Sequence, residues 1–219
     1  MKREDLRFFD RTDEYLVTER VLPHWVQAGT ISFITWRLGD SLPKSVLRRL
    51  DRDVAAVLAA NGLSPEDDWK EQLRRLRPAE RSRIHWELFI TRDKYLDAGY
   101  GRCWLAKRVH AHEVLKSLRR FDEDRYFLTD VVVMPNHVHF LAAFGQPELM
   151  LAQCTSWKRY LGRKINSAEH LRGQFWQKDQ FDHLVRSEEE FERYRRYIAE
   201  NPRAAGLEQG QYLHYQKRL

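Results

Sequence analysis

Two histidines and a tyrosine–asparagine pair are the residues of this sequence best placed to do chemistry. In "VVVMPNHVHFLAAF" (131–144), His137 and His139 interrupt an apolar run. On a strand, residues i and i+2 point to the same face. The two imidazoles would then project together, with Val138 and Phe140 buried on the other side. Two neutral imidazoles can hold one divalent cation, but a useful site normally needs a third ligand. A hydrogen-bonded histidine pair on a half-buried sheet fits the same pattern without any metal. The stretch "VHAHE" is an internal control, with His110 and His112 at the same spacing. That stretch reads as helix, where i and i+2 lie about 200° apart and cannot share an ion. His110 and His112 are therefore read as surface or structural residues.

Tyr197 and Asn201 are four residues apart in "SEEEFERYRRYIAENP" (187–202), so they share one helical face. The core stripe of that helix is Phe191, Tyr194 and Ile198, and Tyr197 sits at its edge, where a phenol can reach a cleft. The amide oxygen of Asn201 is a reasonable third ligand for a hard cation beside two imidazoles. The plainer reading also stands: Tyr197 packs at the helix edge and Asn201 ends the helix before Pro202.

The elements that must position these residues follow from periodicity. Residues 1–27 read as an irregular arm, and "GTISFITWRL" (29–38) as a strand. Helical spacing at Val46, Leu50, Val54 and Leu58 marks a helix over 42–62, closed by Asn61-Gly62. The polar, charged segment 63–102 predicts helices at 66–76 and 78–96, and 104–121 predicts another. The β-rich runs 125–134 and 137–144, split by Pro135-Asn136, read as an antiparallel hairpin. A helix over 147–167, a strand-like stretch over 174–186 and a helix over 187–202 complete the order. In the last, Ser187 and Glu190 form a capping box and Pro202 is the expected stop. No repeat, low-complexity tract or linker is evident. The pattern predicts one α+β domain over 1–219, with an antiparallel sheet covered by helices on one face and a helical elaboration at 40–94.

Composition narrows the setting. A chain of 219 residues can bury a real core. Its net charge of +6 suits a phosphate-rich partner without requiring one. Cys103 and Cys154 form neither a zinc spacing nor a disulfide framework, which points to a reducing cytosol. The first residues lack the apolar core of a signal peptide. No apolar run approaches the roughly 20 residues of a membrane helix, so no membrane partner is expected.

"MPNHVHFL" followed by "FWQKDQFDHLVRSEEEFERYRRYIAENPRAAGL" resembles the single-tyrosine HUH transposases, above all the REP-associated tyrosine transposases. "YLDAGYGRCWL" (95–105) is similar to the segment upstream of that family's sheet. The likeness spans about 29–207. It departs at 40–94, where the first connection is longer than a minimal family domain needs. The resemblance implies a ferredoxin-like antiparallel sheet, the HUH endonuclease fold. It implies Tyr197 as nucleophile, and His137, His139 and Asn201 as ligands of Mg²⁺ or Mn²⁺. It further implies single-stranded hairpin DNA with REP-like palindromes as substrate, cleaved through a 5′-phosphotyrosine, and a bacterial, nucleoid-associated protein of the cytoplasm. A monomer is favoured over a tyrosine-exchanging dimer.

The rival tyrosines fit that pattern less well. Four residues after Tyr160 stands Lys164, a cation that would repel a metal, and four after Tyr194 stands Ile198, which ligates nothing. Lys158, Arg159, Arg163 and Lys164, with Trp157, form a run of four cations and no acid suited to holding single strands. Trp157 also fits an apolar stripe with Cys154 and Leu161, so a core placement competes with DNA stacking. Residues 70–83 and Arg48, Arg49 and Arg52 are further basic candidates that equally suit a solvated helix face. Two other readings of the chain stay open: a hairpin-DNA-binding module without cleavage, and a metal-dependent phosphodiesterase that uses water and leaves Tyr197 dispensable.

Overall fold

The computed structural model describes residues 1–19 and 23–219. The chain opens with two short strands, β1 (Leu16–Glu19) and β2 (Pro23–Val26), followed by β3 (Ile31–Arg37). Three helices come next: α1 (Lys44–Ala60), α2 (Trp69–Arg75) and α3 (Pro78–Asp97). Then α4 (Arg108–Arg119), β4 (Tyr126–Val133), β5 (His137–Phe144) and α5 (Pro147–Ala168) follow. The order closes with β6 (Phe181–Leu184), α6 (Glu188–Ala204) and β7 (Leu213–Gln216).

The main sheet has the order β6-β3-β5-β4-β7, and each neighbouring pair is antiparallel. Within it β3, α4, β4, β5, α5 and β6 trace the βαββαβ path of a ferredoxin-like α+β fold. Helices α1 to α3 are inserted between β3 and α4, and β7 adds a strand beyond β4.

Helices cover both faces of this sheet, not one. On one face Trp36, Val138, Phe140 and Phe144 pack against Val114 and Leu118 of α4 and Cys154, Trp157 and Leu161 of α5. On the other, Phe33, Val132 and Leu141 pack against Phe89 of α3 and Phe191, Tyr194 and Ile198 of α6. Every residue of β4 and β5 is buried as a result. A strand buried on both faces reads as a continuous apolar run rather than an alternating one, which "FLAAF" and "VVVM" do. The inserted helices also hold a small core of their own, made by Leu58, Leu63, Leu73, Ile84 and Leu88.

Two other expectations need correction. The arm at 1–27 is not irregular throughout, because β1 and β2 pair antiparallel from Leu16↔Val26 to Glu19↔Pro23. His24 anchors that ribbon to the sheet edge: its Nδ1 bonds Asp182 and its Nε2 lies 2.8 Å from Asp179 Oδ1. Helix α6 also runs through Pro202 to Ala204 and stops only at Gly206, whose φ is +70°. There the Leu207 N–H donates to the Pro202 carbonyl at 2.8 Å, the kind of closing bond a left-handed glycine permits. Among the described residues no helix is long and apolar enough to cross a membrane.

Candidate active site

The tight turn between β4 and β5, closed by the Met134 N–H donating to the His137 carbonyl at 2.9 Å, sets the register of the histidines. Both side chains leave β5 on the face covered by α3 and α6, and both are fully buried. Their ring centroids are 4.7 Å apart.

Each ring is fixed through Nδ1. His137 Nδ1 lies 2.7 Å from Asn136 Oδ1, and Asn136 is held by its own Nδ2, which donates to the carbonyls of Leu96 and Tyr100. His139 Nδ1 lies 2.8 Å from the hydroxyl of Thr35, its neighbour across the ladder on β3. Asn136 Oδ1 can only accept, so His137 carries its proton on Nδ1 and presents the Nε2 lone pair to the cavity, and His139 does the same when the Thr35 hydroxyl accepts, the arrangement typical of metal-binding histidines. Burial pushes His137 down to about 3, assisted by His139 and opposed by Asp93 and Asn201. Burial does the same to His139, also to about 3. Both rings are neutral near pH 7, the form that binds a cation.

Two carboxylates from α3, absent from the set read in the sequence, complete the surroundings. Asp93 Oδ2 is 3.3 Å from His139 Nε2, and Asp97 Oδ1 is 3.8 Å from His137 Nε2. Ligand atoms of Asp93, His137 and His139 all lie within 4.8 Å of one another. Burial pushes Asp93 up to about 6, against the pull of His137 and Asn201. Asp97 rises to about 7 through burial and then the charge of Asp93. Among the described residues no lysine or arginine pairs with either. The signal was present: Asp93 and Asp97 sit four apart, and Asp93 follows Phe89 by four on the apolar face of α3. A carboxylate in a core stripe rarely stands there without a partner.

Helix α6 brings Tyr197 and Asn201 to the same cavity. Asn201 is buried, and its Nδ2 lies 3.2 Å from the Tyr197 hydroxyl, 3.2 Å from Asp97 Oδ1 and 3.4 Å from Asp93 Oδ2. The Tyr197 ring is half-buried and packs edge-on against Phe89, His139 and Trp86, with centroids 5.2, 5.6 and 5.6 Å away. Three buried atoms here have no hydrogen-bond partner: Nε2 of His137, Nε2 of His139 and Oδ1 of Asn201. Unsatisfied buried polar atoms are uncommon, and these three belong to residues gathered around Asp93 and Asp97. Two imidazole nitrogens, an amide oxygen and a carboxylate are a donor set that fits a divalent cation.

The other tyrosines lie elsewhere. Tyr194 is buried and stacks on Phe33 at 4.3 Å between centroids, and burial first, then Glu190, holds its hydroxyl well above the usual range. Tyr160 is exposed and donates to Glu113 Oε1 at 3.0 Å. His110 and His112 are on α4, engaged with Glu169 and Arg108.

The basic run divides. Trp157 is buried, donates to the Ser117 carbonyl at 3.0 Å and belongs to the core, so it offers no face to a base. Lys164 is paired with Glu113 at 2.8 Å. Lys158, Arg159 and Arg163 line an open groove of about 300 Å³ between α5 and the segment 173–178, which contributes Lys178 from the far wall. Gly162 faces Phe175 and Trp176 at this border, where a Cβ would make ordinary contact at 3.4 and 3.6 Å. Several arginines of 70–83 are bound to neighbouring acids, Arg74 and Arg75 to Glu71, Arg77 to Glu80 and Arg83 to Glu87. Arg48, Arg49 and Arg52 line a separate shallow depression on α1.

No protein-family model matches the sequence, and no curated protein matches it. Among solved structures, the chain is similar to that of a REP-associated tyrosine transposase bound to a REP hairpin. The match has 16% identity and a TM-score of 0.41, and it covers 84% of this chain and 72% of that one.

Proposed function

We propose that the protein is a metal-dependent single-strand DNA endonuclease and transposase that recognises palindromic hairpins and uses Tyr197 as its nucleophile. One observation carries the reading. The Nε2 atoms of two neutral histidines and a buried amide oxygen are left without hydrogen-bond partners beside a buried carboxylate and a tyrosine hydroxyl. The likeness of "MPNHVHFL" and "YIAENP" to REP-associated tyrosine transposases supplies the substrate class.

His137, His139, Asn201 and Asp93 would hold Mg²⁺ or Mn²⁺, which polarises a phosphodiester and offsets charge on its oxygens. The Tyr197 oxygen attacks phosphorus and forms a phosphotyrosine bond to the 5′ side, while the bond to the 3′ oxygen breaks and that oxygen takes up a proton. Reversal by a 3′-hydroxyl rejoins the strand and frees the phenol. Asn201 Nδ2 donates to the Tyr197 oxygen and favours its charged form. The same amide also donates to Asp93 and Asp97, which would offer carboxylates to take up the phenol proton. The packed rings of Phe89 and Trp86 orient the phenol and exclude water from one side.

The test is cleavage of a single-stranded oligonucleotide carrying a hairpin. Wild type should leave DNA attached to the peptide containing Tyr197 and a free 3′-hydroxyl. Tyr197→Phe should lose both nicking and adduct, while Tyr160→Phe and Tyr194→Phe keep the adduct. Nicking that survives Tyr197→Phe without any adduct would replace this reading by hydrolysis through activated water. Hairpin binding with no nicking in Mg²⁺ or Mn²⁺ would reduce the protein to a binding module.

A further inference from the structure

Strand β3 ends beside the histidines with Arg37. In the β3–β5 ladder Arg37 is opposite His137, as Thr35 is opposite His139. Residues directly opposite in an antiparallel ladder carry their side chains on one face, roughly 5 Å apart. The Thr35–His139 bond of 2.8 Å shows which face that is. The Arg37 side chain therefore leaves the sheet on the side of the active site, next to His137.

Arg37 is half-buried, and among the described residues nothing acidic pairs with it. Partly buried arginines of α6 on the same side of the sheet are treated differently. Arg193 pairs with Glu190 at 3.0 Å and Arg195 with Asp130 at 3.2 Å. An unpaired cation withdrawn from water is costly unless an anion meets it, and burial accordingly lowers the proton affinity of this guanidinium.

The backbone of Arg37 makes a second connection. Its carbonyl accepts the Gln177 N–H at 2.8 Å, and the next residue, Leu38, bridges to Trp176. Trp176, Gln177 and Lys178 form the wall of the basic groove opposite Lys158, Arg159 and Arg163. Arg37 thus touches the groove wall through its backbone at the sheet border, while its side chain leaves on the opposite face, beside His137.

We propose that Arg37 is a phosphate-binding residue, its guanidinium gripping the nonbridging oxygens of the DNA phosphodiester that passes from the basic groove to Tyr197. The proposal rests on the DNA-cleaving reading given above. A planar fork suits two phosphate oxygens in a way that an ammonium does not. The contact holds the linkage in register with the nucleophile before any bond is made or broken.

The experiment measures binding of a single-stranded oligonucleotide with a flanking hairpin, in EDTA, across a range of salt. Arg37→Gln should bind about tenfold more weakly at low salt, as loss of one charged hydrogen-bond pair implies. Its salt dependence should be shallower by about 0.7 in log–log slope, one phosphate contact on a single strand. Arg37→Lys should restore the slope and only part of the affinity. Wild type should lose the same affinity when one linkage, found by scanning, is made a neutral methylphosphonate, and Arg37→Gln should be indifferent to that replacement. Mn²⁺ binding without DNA should be unchanged or tighter in Arg37→Gln, whereas a loss would mark Arg37 as structural and overturn the proposal. If Arg37→Gln does not fold, the methylphosphonate scan on wild type and Arg37→Lys decides, and absence of any such position overturns it. A wild-type salt slope in Arg37→Gln, together with Tyr197 adducts at the wild-type rate, removes the assignment and leaves the endonuclease. A sound methylphosphonate cycle in a protein that never cleaves keeps the contact and removes the endonuclease.

Discussion

Asn136 holds three groups at once, which makes it the residue on which the histidine geometry most depends. Its Oδ1 fixes the tautomer of His137, and its Nδ2 ties the β4–β5 turn to the end of α3. That helix carries Asp93, so one side chain aligns two ligand-bearing elements. Asn136→Ala should lower Mn²⁺ affinity by about 10–100-fold, the usual effect of losing a partner behind a ligand. It should also destabilise the fold by about 1–3 kcal/mol, because the Leu96 and Tyr100 carbonyls lose their donor. Mn²⁺ titration and urea unfolding of the same sample measure both, and unchanged metal affinity would count against the role. The sequence shows Asn136 only as half of a turn dipeptide. Its side-chain bonds reach residues 36 and 40 positions away, and no local pattern encodes such a partner. His137 and His139 are legible because strand periodicity alone puts them on one face. Asp93 was hidden by its own segment: among so many charges in 63–102, one carboxylate on the apolar side does not stand out.

At the level of elements, the β1–β2 ribbon depends on one buried histidine. His24 lies between Asp179 and Asp182, with His183 adjoining Asp182 and Lys158 bound to the carbonyls of the same loop. Burial alone would lower the His24 pKa, but its bonds to Asp182 and then Asp179 outweigh burial and raise it. A histidine raised on folding contributes stability that is complete below its unfolded value of about 6.5. That contribution is lost as pH rises through the higher folded value. Amide exchange in β1 and β2 should therefore quicken from about pH 6.5 upward, beyond the intrinsic rise with pH. His24→Gln should exchange faster at low pH and show no such extra step. A wild-type ribbon equally protected at pH 6 and pH 9 would exclude His24 as the anchor. The main strands and helices were readable from apolar spacing, and their ends from Asn61-Gly62, Ser187 and the Pro135-Asn136 turn. The ribbon was not, because four-residue strands are too short to establish a period. Nor was the covering of both faces read, although the unbroken apolar runs of β4 and β5 contain it.

Across the whole molecule, the basic residues separate into those already neutralised and those left facing the groove. Lys164 is bound to Glu113, whereas Arg159 and Arg163 are exposed along the groove wall. Double substitution Arg159→Ala/Arg163→Ala should weaken oligonucleotide binding and flatten its log–log salt slope by about 1.4, two contacts on a single strand. Lys164→Ala should change the slope little, since its charge is already spent on Glu113. Fluorescence anisotropy at several salt concentrations separates these outcomes, and equal effects would mean the groove is not the path of the strand.

Strand β7 has a further consequence, which concerns survival of the chain rather than its chemistry. It pairs along β4 from Val133↔Leu213 to Asp130↔Gln216. Without it, Val131, Val132 and Val133 would line a free sheet edge, with the nearby Phe127 and Leu128 adding to a β-prone, nearly uncharged window. Such an edge is a template for pairing with another copy. The sequence just after β7 adds charge to that border: Lys217 bridges Asp122 and Glu123, both at 2.7 Å. A variant shortened before Leu213 should retain the histidine pair and α6 yet scatter light and bind thioflavin at concentrations where the intact protein stays clear. Single prolines at His214 or Tyr215, chosen to break pairing without removing length, should reproduce that behaviour. The four residues of β7 would then act as a gatekeeper against self-assembly, separate from the site on the sheet face.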